Sequence, residues 1–189
     1  MLTSRLFYAY FLLSALSFAA LGVFIDPPSL MAPDSSTYLN GDIRRTIGYP
    51  IFLSIVGFFN NSYSLLPYIQ GLIYAFSVSF LVCSYSRVID NRFFCCLFVA
   101  VISLNPIVWI YNSQMLAESL FMSLTMVCLG LIINAIYNKD NKNDLVMIGV
   151  TIALLILVKP VGYAYFSIVL FILFFLDSKK ISSFFQILI

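Results

Sequence analysis

The sequence predicts an all-α fold, a polytopic bundle of transmembrane helices with a short amphipathic juxtamembrane helix in its first outer loop. Two properties of the whole chain support this class. The 189 residues are 62% hydrophobic and only 10% charged, whereas a soluble domain has about 25% charged residues. The mean hydropathy is +1.02, and several apolar runs reach the roughly 20 residues that cross a bilayer as a helix. We therefore predict one transmembrane domain over residues 1–189, surrounded by lipid.

Six apolar runs are predicted to be membrane spans: residues 6–25, 65–85, 93–111, 116–137, 145–158 and 161–176. The last two are short, and Lys159-Pro160 separates them. For the first run a cleaved signal peptide is the alternative, with Ser17-Phe18-Ala19 as the cleavage site, but the apolar run continues past it. Within the third run, Asn105-Pro106 is predicted to kink the helix.

Positive charge predicts the orientation, because cytoplasmic loops carry an excess of Lys and Arg. With a cytoplasmic N-terminus, seven of the ten basic residues lie inside: Arg5, Arg87, Arg92, Lys139, Lys142, Lys179 and Lys180. The charges then predicted on the outer face are Arg44, Arg45, Lys159, Asp26, Asp34, Asp42 and Glu118. We expect an integral, multi-pass membrane protein with this orientation.

The outer loop, residues 26–64, is predicted to contain a helix. Asp34, Ser35 or Ser36 would cap its start, and Gly48 and Pro50 would end it. One face of this helix would be apolar, with Leu39, Ile43 and Ile47. The other would be polar, with Asp34, Tyr38, Asp42 and Arg45. Such a helix lies at a membrane surface with its apolar side down. Residues 49–59 are apolar but too short to span, which indicates a re-entrant or interfacial segment.

Cations and carboxylates on one membrane face suit chemistry at a phosphate. Arg binds phosphate through a bidentate fork and Lys as a point charge, and a carboxylate can take a proton from a hydroxyl. The chain has no histidine, and its four cysteines lack zinc-ligand spacing, so no metal site is predicted. The slight positive charge indicates no nucleic-acid partner.

Each charged residue named for the outer face also has a structural alternative. These are Asp34 as a helix cap, Arg44 and Arg45 as lipid-headgroup contacts, Lys159 as a snorkelling side chain, and Glu118 as a helix-dipole partner.

The loop contains Asp34-Ser35-Ser36-Thr37-Tyr38, then Arg45 and Gly48-Tyr49-Pro50-Ile51-Phe52-Leu53. This pattern resembles the first outer loop of GT-C-type polytopic glycosyltransferases, which use polyprenyl-phosphate sugars, such as mannosyltransferases and aminoarabinose transferases. Residues 117–121 and 158–162 resemble later parts of the same family. Its members usually have ten or more spans, so the chain resembles the N-terminal portion of such an enzyme.

The resemblance implies a role for each matching residue. Asp34 would be the catalytic base, while Arg45, Arg44 and Lys159 would bind the substrate phosphate. Tyr38 and Glu118 would bind substrate or acceptor. The reaction would be inverting transfer of a sugar from a polyprenyl phosphate to a lipid, glycan or protein acceptor on the outer face. No cofactor is expected, because Ser35 follows Asp34 where some branches carry a second acidic residue that would serve a divalent metal.

Three other functions are compatible with the predicted topology. The chain could be a non-catalytic remnant or subunit of such an enzyme, because a chain without the later spans need not close the cavity. A small-molecule or lipid transporter would place polar residues near the bilayer midplane, and the predicted span interiors hold no charge. A polymerase acting on polyprenyl-diphosphate glycans would use a large later outer loop. Polyprenyl-phosphate chemistry and short loops favour the bacterial inner membrane and a role in the cell envelope.

Overall fold

The computed structural model describes residues 2–25, 30–40, 42, 45–89, 91–137 and 142–175. Throughout these ranges the chain forms helices, turns and bends without a strand, which confirms the predicted all-α class. The helices are α1 (Leu2–Phe24), α2 (Ser35–Leu39), α3 (Gly48–Phe59), α4 (Leu66–Tyr85), α5 (Arg92–Ser103), α6 (Pro106–Ser113), α7 (Ala117–Tyr137), α8 (Lys142–Val158) and α9 (Gly162–Phe175).

Three of the described helices, α1, α4 and α7, are long and apolar enough to cross a membrane. Helices α5 and α6 together also pass this test, although the pair is bent by 52°. The bend falls at Asn105-Pro106, as predicted, and the Asn105 side chain caps α6 by accepting from the Ile107 N–H at 3.0 Å. Each of these helices coincides with a predicted span.

The two remaining predicted spans are shorter helices. Helix α8 has 17 residues and α9 has 14, fewer than the roughly 20 that cross the hydrocarbon core. Whether they cross a bilayer therefore stays a prediction. The predicted end of the last span, at residue 176, lies outside the described residues.

Helix α4 lies at the centre of the bundle and packs against α1, α5, α6 and α7. Buried small residues on it, Gly71, Ala75 and Ser79, follow each other at four-residue spacing, the pattern that lets membrane helices approach closely. A Cβ at Gly71 would lie 2.6 Å from the Phe18 ring on α1, so a larger residue there would require the ring to shift. Helix α7 extends the bundle to α8, which contacts α3 and α9.

The predicted amphipathic helix in the first loop is shorter than expected. It ends at Leu39, and Gly48 and Pro50, predicted to end it, instead lie in the first turn of α3, where a proline leaves no intrahelical bond unmade. The predicted polar face is wrong at Tyr38, which is only 4% exposed. On the predicted apolar face Leu39 and Ile47 are 40% and 60% exposed, while Ile43 lies outside the described residues. Tyr38 turns inward because its ring packs edge-on against Tyr49 at 5.0 Å.

Three segments far apart in the sequence meet at one end of the bundle, which we call the loop end: residues 30–40 with 42 and 45–47, residues 114–118, and residues 158–162. The Met115 N–H donates to the Leu30 carbonyl at 2.9 Å, and the Ser35 hydroxyl donates to the Met115 carbonyl at 3.0 Å. The Thr46 hydroxyl donates to the Val158 carbonyl at 2.7 Å. These contacts join the first loop to the α6–α7 and α8–α9 turns.

Candidate functional site

The first component of the loop end is an ion pair between Arg45 and Asp34. Arg45 Nη2 lies 2.8 Å from Asp34 Oδ1, and Arg45 Nε donates to the Thr37 hydroxyl at 3.0 Å. The guanidinium carbon also lies 4.9 Å from the centre of the Tyr38 ring, within cation–π range. Arg45 is thus held by a carboxylate, a hydroxyl and an aromatic face at once.

The start of α2 orients the Asp34 carboxylate towards Arg45. The Thr37 hydroxyl and N–H both donate to the Asp34 carbonyl, at 2.6 and 3.1 Å. The Asp34 side chain itself makes no capping hydrogen bond, so its role as a simple helix cap is not supported. More than half of that side chain is exposed, 54%.

The second component is an ion pair between Lys159 and Glu118. Glu118 lies in the first turn of α7, and Lys159 follows the last residue of α8. Lys159 Nζ is 2.5 Å from Glu118 Oε1. The other carboxylate oxygen, Oε2, is buried and accepts no hydrogen bond from any residue that the structure describes. It therefore keeps the capacity to accept a hydrogen bond from a ligand.

Tyr38 lies between the two ion pairs. Burial raises the pKa of its phenol, the Glu118 carboxylate raises it further, Arg45 lowers it and Asp34 raises it again. The phenol is therefore protonated at neutral pH. Tyr38 belongs to a buried apolar cluster that also contains Tyr49, Ala117 and Val158. Ala117 adjoins Glu118 and Val158 adjoins Lys159, so this cluster forms the floor beneath both ion pairs.

Gly48 allows the start of α3 to pack closely against the end of α8. A Cβ at Gly48 would lie 2.6 Å from the Leu157 carbonyl oxygen and 2.9 Å from the Val158 nitrogen. The start of α3 therefore touches the backbone of α8 directly, and the adjacent Thr46–Val158 hydrogen bond marks the same contact. This contact brings the loop that carries Arg45 against the helix end that carries Lys159.

A buried polar network that the sequence did not predict lies beneath the floor. The Tyr49 hydroxyl donates to Gln70 Oε1 at 2.9 Å, and Gln70 Nε2 donates to the Asn112 carbonyl at 2.8 Å. The Ser119 hydroxyl donates to Asn112 Oδ1 at 2.8 Å. The available signal was Gln70 inside a predicted span, because a polar side chain in a membrane is costly and needs a partner.

The structure brings together five of the six residues predicted for the site: Asp34, Tyr38, Arg45, Glu118 and Lys159. The sixth, Arg44, lies outside the described residues. Among the residues described, no group of three or more His, Cys, Asp or Glu side chains is placed to hold a metal ion. The pairing of Lys159 with Glu118 had not been predicted.

The loop end therefore presents two carboxylates and two cations around a buried phenol. The carboxylates can accept protons or hydrogen bonds, and the cations can bind an anion. Comparison of the chain with protein-family models, curated proteins and solved structures finds no match.

Proposed function

We propose that the loop end is the active site of a membrane glycosyltransferase similar to the GT-C enzymes. The substrate would be a sugar linked to a polyprenyl phosphate. The observation that carries this proposal is the convergence of two cation–carboxylate pairs around Tyr38, from three separate segments, at one end of an apolar helix bundle. A lipid-linked phosphate arrives at such an end with its chain in the bilayer and its head near the cations.

In the proposed reaction an acceptor hydroxyl attacks the anomeric carbon of the sugar. The new carbon–oxygen bond forms as the bond to the phosphate oxygen breaks, and its electron pair leaves with the polyprenyl phosphate. Asp34 takes the proton of the hydroxyl. Arg45 and Lys159 stabilise the phosphate charge that develops, which is the largest contribution such a site can make. Direct displacement inverts the anomeric centre.

Both cations are already paired with carboxylates. Binding of the substrate phosphate is therefore coupled to activation of Asp34 as the base. A phosphate that engages Arg45 competes with Asp34 for the guanidinium, and one that engages Lys159 competes with Glu118. Phosphate binding thus frees the Asp34 carboxylate to act as a base. It also loosens Glu118, whose Oε2 has no hydrogen-bond partner among the described residues and could then accept from the acceptor hydroxyl.

The proposed setting is the outer face of a bacterial inner membrane, with the N-terminus in the cytoplasm. The distribution of Lys and Arg supports this orientation. The second candidate is a non-catalytic subunit or remnant of such an enzyme, because both cations are already paired with carboxylates of the chain itself. Transport is less favoured, since the described acidic and basic pairs lie at one end of the bundle.

The test is sugar transfer from a pool of polyprenyl-phosphate sugars in membranes that contain the wild type, Asp34→Asn or Asp42→Asn. General-base catalysis contributes about 10²–10⁴-fold, so we expect Asp34→Asn to lose at least about 100-fold. Asp42→Asn is the matched control, the same acid-to-amide change in the same loop, and should keep most of the rate. Equal rates for the wild type and Asp34→Asn would exclude Asp34 as the base. No transfer by inserted wild type would favour the non-catalytic candidate.

A further inference from the structure

Gln70 occupies a central and fully buried position on α4, directly below the loop end. Its side chain is 1% exposed. The amide oxygen accepts from the Tyr49 hydroxyl, and the amide nitrogen donates to the carbonyls of Asn112, at 2.8 Å, and Gln114, at 3.0 Å. Both polar atoms of the amide are therefore satisfied. A buried hydrogen-bond network of this kind keeps its side chains in one conformation. Any other conformation would leave a desolvated polar group without a hydrogen-bond partner.

One branch of the network leads from Gln70 to the Asp34–Arg45 pair. Tyr49 is fully buried, and its ring supports Tyr38 edge-on at 5.0 Å. The Arg45 guanidinium in turn lies over the face of the Tyr38 ring. The hydrogen bond from Tyr49 to Gln70 therefore fixes the Tyr49 ring, against which Tyr38 packs.

The other branch leads to the Glu118–Lys159 pair. Gln70 holds the carbonyls of Asn112 and Gln114, which stand at the end of α6 and in the turn before α7. The Asn112 side chain then accepts from Ser119, the residue next to Glu118 in the first turn of α7. Gln70 therefore holds both the turn that precedes Glu118 and, through Asn112, the residue that follows it.

We propose that Gln70 is a positioning residue that sets the two ion pairs at a fixed spacing. It touches neither pair and acts through Tyr49 on one side and Asn112 on the other. The effect of Gln70 on substrate binding rests on the proposed function, in which the spacing lets Arg45 and Lys159 bind one lipid-linked phosphate. The effect of Gln70 on the Glu118–Lys159 pair does not depend on any substrate.

The first test measures how fast a water-soluble acylating reagent modifies the Lys159 amine in the full chain in detergent, read by peptide mass spectrometry. Gln70→Leu removes all three hydrogen bonds, and Ser119→Ala removes only the bond nearest Glu118. We expect both variants to react at least threefold faster at Lys159 than the wild type. Ser79→Ala is the matched control. Among the described residues this buried hydroxyl bonds within α4, to the Ala75 carbonyl at 2.6 Å, so the variant should react like the wild type.

A wild-type rate at Lys159 in a folded Gln70→Leu variant would overturn the proposal, whatever the rate in Ser119→Ala. If Gln70→Leu does not fold, the rate of Ser119→Ala decides alone. The rate at Lys142, at the opposite end of α8, should not change in any variant. An equal acceleration there would show general loosening of the bundle and would also overturn the proposal.

The second test measures the affinity for farnesyl phosphate, a short isoprenyl phosphate. We expect Gln70→Leu to bind it at least fivefold more weakly and Ser79→Ala to bind it like the wild type. Unchanged binding by Gln70→Leu would overturn the effect on substrate. If the wild type does not bind farnesyl phosphate while Lys159 still reacts faster in Gln70→Leu, the proposed function fails and the positioning of the Glu118–Lys159 pair stands.

Discussion

At the scale of single residues, Arg45 is the central side chain of the loop end, and a bound phosphate would compete with Asp34 for it. Its guanidinium engages Asp34, Thr37 and the Tyr38 ring, three partners that a lysine could not hold together. The Asp34 carboxylate is the partner that a phosphate would replace. It is also the more exposed member of the pair, so the exchange needs little desolvation.

This competition predicts that binding and catalysis separate in Asp34→Asn. A partly exposed ion pair contributes about 0.2–1 kcal/mol, so removing the carboxylate should tighten farnesyl phosphate binding by roughly 1.5- to 5-fold. The same variant should have lost sugar transfer, because the amide cannot accept the proton. Calorimetric titration of the protein in detergent measures the affinity. Weaker binding in Asp34→Asn than in the wild type would show that Asp34 supports the phosphate site and does not compete with it.

At the scale of elements, the contact between the start of α3 and the end of α8 joins the two cation-bearing segments. Gly48 makes this contact possible, since a Cβ there would collide with the α8 backbone. Backbone atoms cannot move aside as a flexible side chain can. A larger residue must therefore push α3 away from α8 and strain the Thr46–Val158 hydrogen bond.

We predict that Gly48→Ala lowers the free energy of unfolding by about 1–3 kcal/mol, the usual cost of overpacking. Gly149→Ala is the matched control, because nothing lies within 4 Å of a Cβ at that position in α8. In a helix interior this change stabilises by up to about 1 kcal/mol. Thermal unfolding in detergent measures both variants. Equal stability of Gly48→Ala and the wild type would mean that α3 and α8 do not touch as described.

At the scale of the whole molecule, the long helices follow from the sequence because hydrophobic length is a local property. The runs that became α1, α4 and α7 could be predicted from composition alone, and the break at Asn105-Pro106 from the chemistry of proline. The convergence of Asp34, Arg45 and Glu118 followed from assigning alternate loops to one side.

The rest depends on packing between distant segments, which no local pattern records. The helical spacing of residues 34–47 predicted a continuous amphipathic helix, but the burial of Tyr38 against Tyr49 outweighs that pattern. The Glu118–Lys159 pair and the Gln70–Asn112 hydrogen bond each join residues more than 40 positions apart. They arise only once α4, α6, α7 and α8 are assembled.

The central claim is that Arg45 and Lys159 hold one phosphate together, and a double-mutant cycle tests it most directly. Farnesyl phosphate affinity would be measured for Arg45→Gln, Lys159→Gln and the double variant. Each single change should weaken binding by about 10- to 150-fold, since a charge-assisted hydrogen bond contributes about 1.5–3 kcal/mol. The double variant should lose less than the sum of the two, by more than about 0.5 kcal/mol, because independent sites add to within that margin. Additive losses, or single variants that bind like the wild type, would contradict the claim.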